Sequence, residues 1–301
     1  MPSKTFSGKL YGLLTLAALL IAVHISLVLR QPNDSTLINS SILVWFVCGL
    51  LVWEKRKQPL EENLRWFNNW ANTGANILGW AIVTIVFIVG FSLTGYHTFI
   101  RFAPFLICLG LGLIAAGFGG IQRYKQELTL TLLTALPPGL VHRLADWETI
   151  TANLSHFLLQ SLGFDAHLGY IQKEIVLTIG AALPTANNSV IVARGCAGVD
   201  MMLQLWVLSI VGIFLLPTSR RQKLIIPMVA VVIAYIINAI RVAVLAAIVP
   251  YPLAFNYWHT GQGGQLFPVF AVLIWGVLCK FLLDFSRSNP HKHPNKQQNS
   301  A

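Results

Sequence analysis

Charge is scarce in this sequence. Only 11% of the residues are Asp, Glu, Lys or Arg, where a soluble domain carries about 25%. Acids are scarcest, with 11 Asp and Glu against 21 Lys and Arg. Cysteine is sparse too, at positions 48, 108, 196 and 279. No two of them stand in a C-x-x-C spacing, which argues against a zinc site or a thioredoxin-like pair, and no pair suggests a disulfide. Cys48, Cys108 and Cys279 lie inside apolar runs and read as small packing residues. The glycines Gly110, Gly112, Gly117, Gly119 and Gly120 lack the Lys-Ser/Thr and strand context of a phosphate loop. They suit close helix–helix approach instead. The outer acids Asp146, Glu148, Asp165, Glu174 and Asp200 are too scattered for a carboxylate dyad or a metal site. No metal or other cofactor is expected.

What the chain has is hydrophobic length. Apolar residues make up 55% and the mean hydropathy is +0.65. Runs of roughly 20 apolar residues match a hydrocarbon core about 30 Å thick at about 1.5 Å of helix per residue. The expected fold is therefore an all-α polytopic membrane protein. The net charge of +10 is carried by short basic loops between apolar runs, the positive-inside pattern. With no basic domain or aromatic-basic module, no nucleic-acid partner is expected.

The first span reads as Leu10–Leu29, too long for a signal-peptide core and without a cleavage site after it. Spans two to four follow at about Thr36–Trp53, Asn76–Gly95 and Phe99–Gly119. The Trp- and Asn-rich stretch Gln58–Ala75 is expected at the membrane interface. Later spans read as Ala197–Leu216, Leu224–Val249 and Leu266–Phe285. If every basic cluster is cytoplasmic, one more crossing is needed between Lys125 and Cys196. Leu128–Val141 alone is apolar enough, and Pro137-Pro138 make it a tilted or broken one. The total is about eight transmembrane helices with both ends cytoplasmic, in three regions: 1–126 (four spans), 127–286 (the later membrane core) and 287–301 (a basic, disordered tail).

His142–Arg194 is then extracytoplasmic, a small helix and hairpin cap. It reads as an amphipathic helix over Asp146–Leu162 stopped by Gly163, then strands over Glu174–Ile179 and Ser189–Ala193. Pro184 and Asn187-Asn188 are the expected turn residues. The segment either presents an extended peptide or simply connects.

Topology brings three side chains to one depth. Cys196 precedes an inward-going span. Arg241 comes 17 residues along an outward-going one, roughly 26 Å of helix. His259 lies in the loop before the last span. An intramembrane Arg costs about 2.5–3.5 kcal/mol on insertion scales, so it reads as functional, with snorkelling as the plain alternative. A thiol is a nucleophile once deprotonated, and a nearby cation favours that form. Histidine shuttles a proton near neutral pH, and a guanidinium holds a developing oxyanion. The trio would cleave an acyl bond through a thioester. The alternatives are a transporter, which would want two related halves and midplane charges, and a structural membrane subunit, which would not need Arg241.

Three short motifs, Cys196-Ala-Gly198, Asn238-x-x-Arg241-Val242 and His259-x-x-x-Gly263-x-x-x-Phe267, resemble the signatures of the exosortases, most closely the cyanobacterial cyanoexosortases. The resemblance covers about Leu128 to Phe285; the first four spans match in character only. It implies a membrane-embedded cysteine peptidase and transpeptidase of the plasma membrane, with its active site on the extracytoplasmic face. The implied partners are exported proteins with a C-terminal sorting signal of the PEP-CTERM type, membrane lipids and, as a further option, an accessory membrane protein. By the same resemblance Cys196 is the nucleophile, Arg241 the oxyanion or substrate-orienting group and His259 the general acid/base. The acceptor is water or a lipid or glycan amine. Many members have Ser where this chain has Ala197, so a hydroxyl there is not essential here. Asp200 stands where relatives commonly carry a base, and a carboxylate one turn along opposes thiolate formation.

Overall fold

The structure, a computed structural model, describes residues 4–31, 35–55, 69–92, 97–180, 188–216 and 218–288. Most of the Gln58–Ala75 stretch, the turn residues Pro184 and Asn187 and nearly all of the basic tail lie outside them. The chain divides into two compact units, residues 1–143 with 210–215, and residues 144–209 with 216–301.

Among the described residues, six helices are long and apolar enough to cross a membrane, and Val199–Leu215 is a shorter apolar one. The protein is an all-α polytopic membrane protein. Side chains such as Phe46, Ile85, Phe270 and Val277 are apolar yet exposed on these helices, as a surface solvated by lipid requires, since lipid rather than water then covers them.

The first unit holds α1 (Lys4–Leu29), α2 (Ser35–Lys55), α3 (Asn69–Ser92) and α4 (His97–Ala116); they match the four spans read from the sequence, with α1 and α3 beginning earlier than expected, at Lys4 and Asn69. Gly110, and Gly120 against Gly112, do the close packing expected of them. A Cβ on Gly110 would lie 2.9 Å from Val83 Cγ2 and 3.2 Å from the Gly79 carbonyl oxygen, and one on Gly120 would overlap the Gly112 carbonyl. Buried His24 is satisfied on both nitrogens, with Nε2 2.9 Å from the Ile100 carbonyl oxygen and Nδ1 accepting from Trp45 Nε1 at 3.0 Å. Gly117, at φ +59°, ends α4.

The chain then makes α5 (Gly119–Arg123), α6 (Lys125–Thr134) and α7 (Pro138–Leu144). The stretch expected as a tilted or broken span is broken, and Pro137-Pro138 explain why: neither supplies an N–H to a helical ladder. At 10 residues α6 extends about 15 Å, half of a hydrocarbon core. Glu127, 1% exposed, pairs with Lys55 at 2.6 Å, and Lys55 also donates to the Arg123 carbonyl at 2.9 Å. Removing one member of such a buried pair strands the other, at a cost of about 3–5 kcal/mol. Glu127→Leu is expected to lower the melting temperature in detergent clearly, and Glu127→Leu with Lys55→Met to recover most of the loss; a thermal-melt series checks both.

The second unit begins with α8 (Trp147–Ser161). Asp146 caps it, its side chain accepting from the Thr149 amide at 3.2 Å, and Gly163 at φ +85° follows its end. A three-stranded antiparallel sheet follows in the order β1 (Ala166–Ile171), β2 (Glu174–Ile179), β3 (Ser189–Ile191). Strand β2 is as read from the sequence and β3 stops at Ile191, short of the expected Ala193; β1 is an addition. Its turn is Gln172-Lys173, with φ of 50° and 73°, the backbone of a type I′ hairpin without the Asn-Gly that usually announces one. Next come α9 (Val199–Leu215), α10 (Arg220–Ile248), α11 (Pro252–His259) and α12 (Leu266–Ser288). Ser219 and Gln222 form a reciprocal capping box that starts α10 four residues before its expected first residue. One core cluster joins the cap to the far part of α10: Ala152 and Leu159 of α8, Leu177 and Val190 of the sheet, and Val242 and Ala246 of α10, with Cys196 packed against it.

Candidate active site

Strand β3 runs into the thiol-bearing turn. Val192 donates its N–H to the Ile175 carbonyl at 2.9 Å, and the chain then tightens into a single 3-10 turn over Arg194–Cys196. The Cys196 amide donates to the Ala193 carbonyl at 2.8 Å and the Ala197 amide to the Arg194 carbonyl at 3.2 Å. Gly198, at φ +83°, reverses the backbone into the N-terminus of α9. The thiol is free and half-buried.

Asn238 of α10 donates from Nδ2 to the Cys196 carbonyl at 2.8 Å. Its side chain lies so close to Gly198 that a Cβ there would stand 2.6 Å from that same Nδ2. So Gly198 is required twice, by its left-handed backbone and by the space Asn238 fills. Thr151 of α8 donates to the Ala197 carbonyl at 3.2 Å, and Ser155, one turn on, donates to the Ala239 carbonyl at 2.9 Å.

Three residues along α10, Arg241 is half-buried and donates from one terminal nitrogen to the His259 carbonyl at 3.2 Å. Its Nε is buried and has no hydrogen-bond partner among the described residues. His259 is not in a loop as expected: it is the last residue of α11, which Pro252 starts at its first turn. Its ring lies against Phe255, with centroids 5.1 Å apart. The rest of its motif has a packing reason. A Cβ on Gly263 would meet the Tyr257 ring at 2.6 Å, and Phe267 makes an edge contact with Trp258 at 5.8 Å between centroids.

One turn of α10, Asn238 to Arg241, therefore touches both the Cys196 turn and the His259 turn. The three expected site residues gather around it, although no hydrogen bond among the described residues joins the Cys196 thiol directly to Arg241 or His259. Thr151 and Ser155 escaped sequence reading. Their signal was present: a Thr and a Ser at i, i+4 on the buried face of an amphipathic helix, where hydroxyls need partners. Asp200, in the first turn of α9, is exposed. Among the described residues no group of three or more His, Cys, Asp and Glu side chains could hold a metal ion.

Burial, and then the Arg241 charge, hold the His259 imidazole below its ordinary 6.5. The ring is thus neutral and able to accept a proton at pH 7. Between the lowered value and 6.5 the unfolded chain binds the extra proton, so this histidine's contribution makes stability fall as pH drops through that window. The ring is expected to titrate below 6.5 by NMR, and Arg241→Gln to move its midpoint upward.

A family model described as transmembrane exosortase matches residues 33–276. The match contains all three motifs and reaches back into the early spans, which the motifs alone could not tie to a family. No curated protein and no solved structure matches the chain. With well over half of its length matched, and the motif residues meeting around one turn of α10, the chain belongs to the transmembrane exosortase family.

Proposed function

We propose that this exosortase is a membrane-embedded cysteine peptidase and transpeptidase that cleaves PEP-CTERM-type C-terminal sorting signals from exported proteins. Membership of the family itself points to a membrane transpeptidase for sorting signals; the substrate type, the thioester and the residue roles are our reading. The observation that carries it is the turn of α10 that bonds the Cys196 carbonyl through Asn238 and the His259 carbonyl through Arg241.

In this reading His259 accepts the Cys196 thiol proton and the sulfur attacks the scissile carbonyl. The carbonyl π electrons move to oxygen, and the Arg241 guanidinium, with one terminal nitrogen on the His259 carbonyl, stabilises that developing charge through its remaining donors. The tetrahedral species collapses to a thioester as the C–N bond breaks, and His259 returns the proton to the leaving amine. An incoming water or amine on a lipid or glycan then attacks the thioester and releases the thiol. Cys196 and His259 act at the extracytoplasmic face of the plasma membrane, where exported proteins emerge. We assign it to the cyanobacterial kind, which its three motifs resemble. Lipids and an accessory membrane protein are the further partners of this proposal.

The test is an immunoblot of an exported protein with a cognate PEP-CTERM tail, co-expressed with wild type or with Cys196→Ala. The longer, membrane-retained form should accumulate only with the variant. Equal processing, with both enzymes inserted at equal level, would leave Cys196 structural and return the transporter and structural-subunit readings.

A further inference from the structure

We propose that Thr151 and Asn238 are positioning residues for the Cys196 thiol, acting through the two carbonyl groups that follow it; this rests on Cys196 being the nucleophile. The Cys196 carbonyl receives Asn238 Nδ2 at 2.8 Å and the Ala197 carbonyl receives Thr151 Oγ1 at 3.2 Å. Both donors are almost wholly buried, Thr151 at 0% and Asn238 at 1% exposure. Packing alone would be met by Val and Leu. A polar group held in so apolar a setting costs free energy unless it is paired, so what each contributes is its donor.

The two donors come from different parts of the unit. Thr151 lies on α8, outside the candidate spans, and Asn238 lies within the span of α10. The two helices are tied to each other by the Ser155 hydroxyl on the Ala239 carbonyl. Between them the turn has little freedom, because the Cys196 and Ala197 amides are also spent on Ala193 and Arg194. Gly198, wedged against Asn238, fixes where α9 begins. Each bonded carbonyl is the negative end of a peptide dipole next to the sulfur residue. Removing its donor leaves that negative end uncompensated, which disfavours a thiolate, and frees the peptide to rotate.

The variants are Thr151→Val, which keeps shape and loses the donor, Thr151→Ser, which keeps the donor, and Asn238→Asp, near in shape but without an amide donor. Two readouts are taken on purified full-length protein in lipid nanodiscs. The first is the iodoacetamide alkylation rate of Cys196 at pH 7.5, resolved by mass spectrometry of its peptide. Thr151→Val should slow it roughly three- to tenfold and Asn238→Asp at least as much, while Thr151→Ser stays within about twofold of wild type. The second is cleavage of a PEP-CTERM peptide, where the loss should fall on kcat with KM unchanged. Alkylation and kcat at wild-type levels in Thr151→Val and Asn238→Asp would overturn the proposal. So would a loss in Thr151→Val that Thr151→Ser fails to restore. A parallel Cys196→Ala sample separates the two claims: if it cleaves normally, the nucleophile assignment fails, whereas the alkylation arm still reads the positioning directly.

Discussion

Arg241→Gln is expected to lower kcat for sorting-signal cleavage by about a hundredfold or more, with the protein inserted and folded. Removing one preorganised oxyanion donor costs about 10²–10³ in rate, and in the proposed role Arg241 brings a fork of donors. One terminal nitrogen is occupied by the His259 carbonyl at 3.2 Å, while Nε is buried and unpartnered among the described residues. Arg241→Lys is the sharper variant, since it keeps the charge and loses the planar fork. It should recover less than a tenth of wild-type activity. Steady-state cleavage of a labelled peptide checks both, and an Arg241→Lys enzyme at the wild-type rate would reduce the residue to a point charge.

The second large effect is expected at Gly198→Ala. Alanine in the left-handed region costs about 1–2 kcal/mol, and here its Cβ would also stand 2.6, 2.7 and 2.9 Å from Asn238 Nδ2, Cγ and Cβ. Asn238 is 1% exposed and has no open space to swing into, so the bond to the Cys196 carbonyl breaks or the turn moves. A total loss of about 2–4 kcal/mol in stability and cleavage near background should follow. The coupling is separable by a double-mutant cycle: in an Asn238→Ala background Gly198→Ala should cost less, because the contacts with Nδ2 and Cγ are gone, leaving the backbone strain and the 2.9 Å approach to the remaining Cβ. Additive losses would show that the two residues do not press on each other.

Much of this was legible because membrane proteins write their constraints in plain physical terms. Hydrocarbon thickness sets the run length, and each of the other long runs appears as one helix, while Leu128–Val141 is divided between α6 and α7 at Pro137-Pro138. Asp146, Gly163 and the apolar face between them spelled out α8. The hairpin turn was hidden because Gln172-Lys173 takes a left-handed path with neither Asn nor Gly to signal it. Strand β1 was hidden with it: its burial does not alternate strictly, so the period-2 pattern was faint. At the site, the three motifs marked Cys196, Arg241 and His259, but sequence spacing could not show that Asn238 holds the Cys196 carbonyl or that Gly198 makes room for it. Such contacts link residues 40 or more apart in the chain, and no local pattern encodes them. That His259 ends a short helix is a similar case, since Pro252 marks a helix start only once a helix is suspected.

The central claim, a cysteine nucleophile forming a thioester, is tested most directly by trapping the intermediate. Purified enzyme in nanodiscs is mixed with a peptide carrying a PEP-CTERM signal, quenched in acid during the first turnover, digested and measured by mass spectrometry. The account predicts a Cys196 peptide heavier by the N-terminal portion of the substrate, the adduct being released by hydroxylamine and absent in Cys196→Ala. Cleavage of the same peptide with Cys196 unmodified, and undiminished in Cys196→Ala, would contradict it.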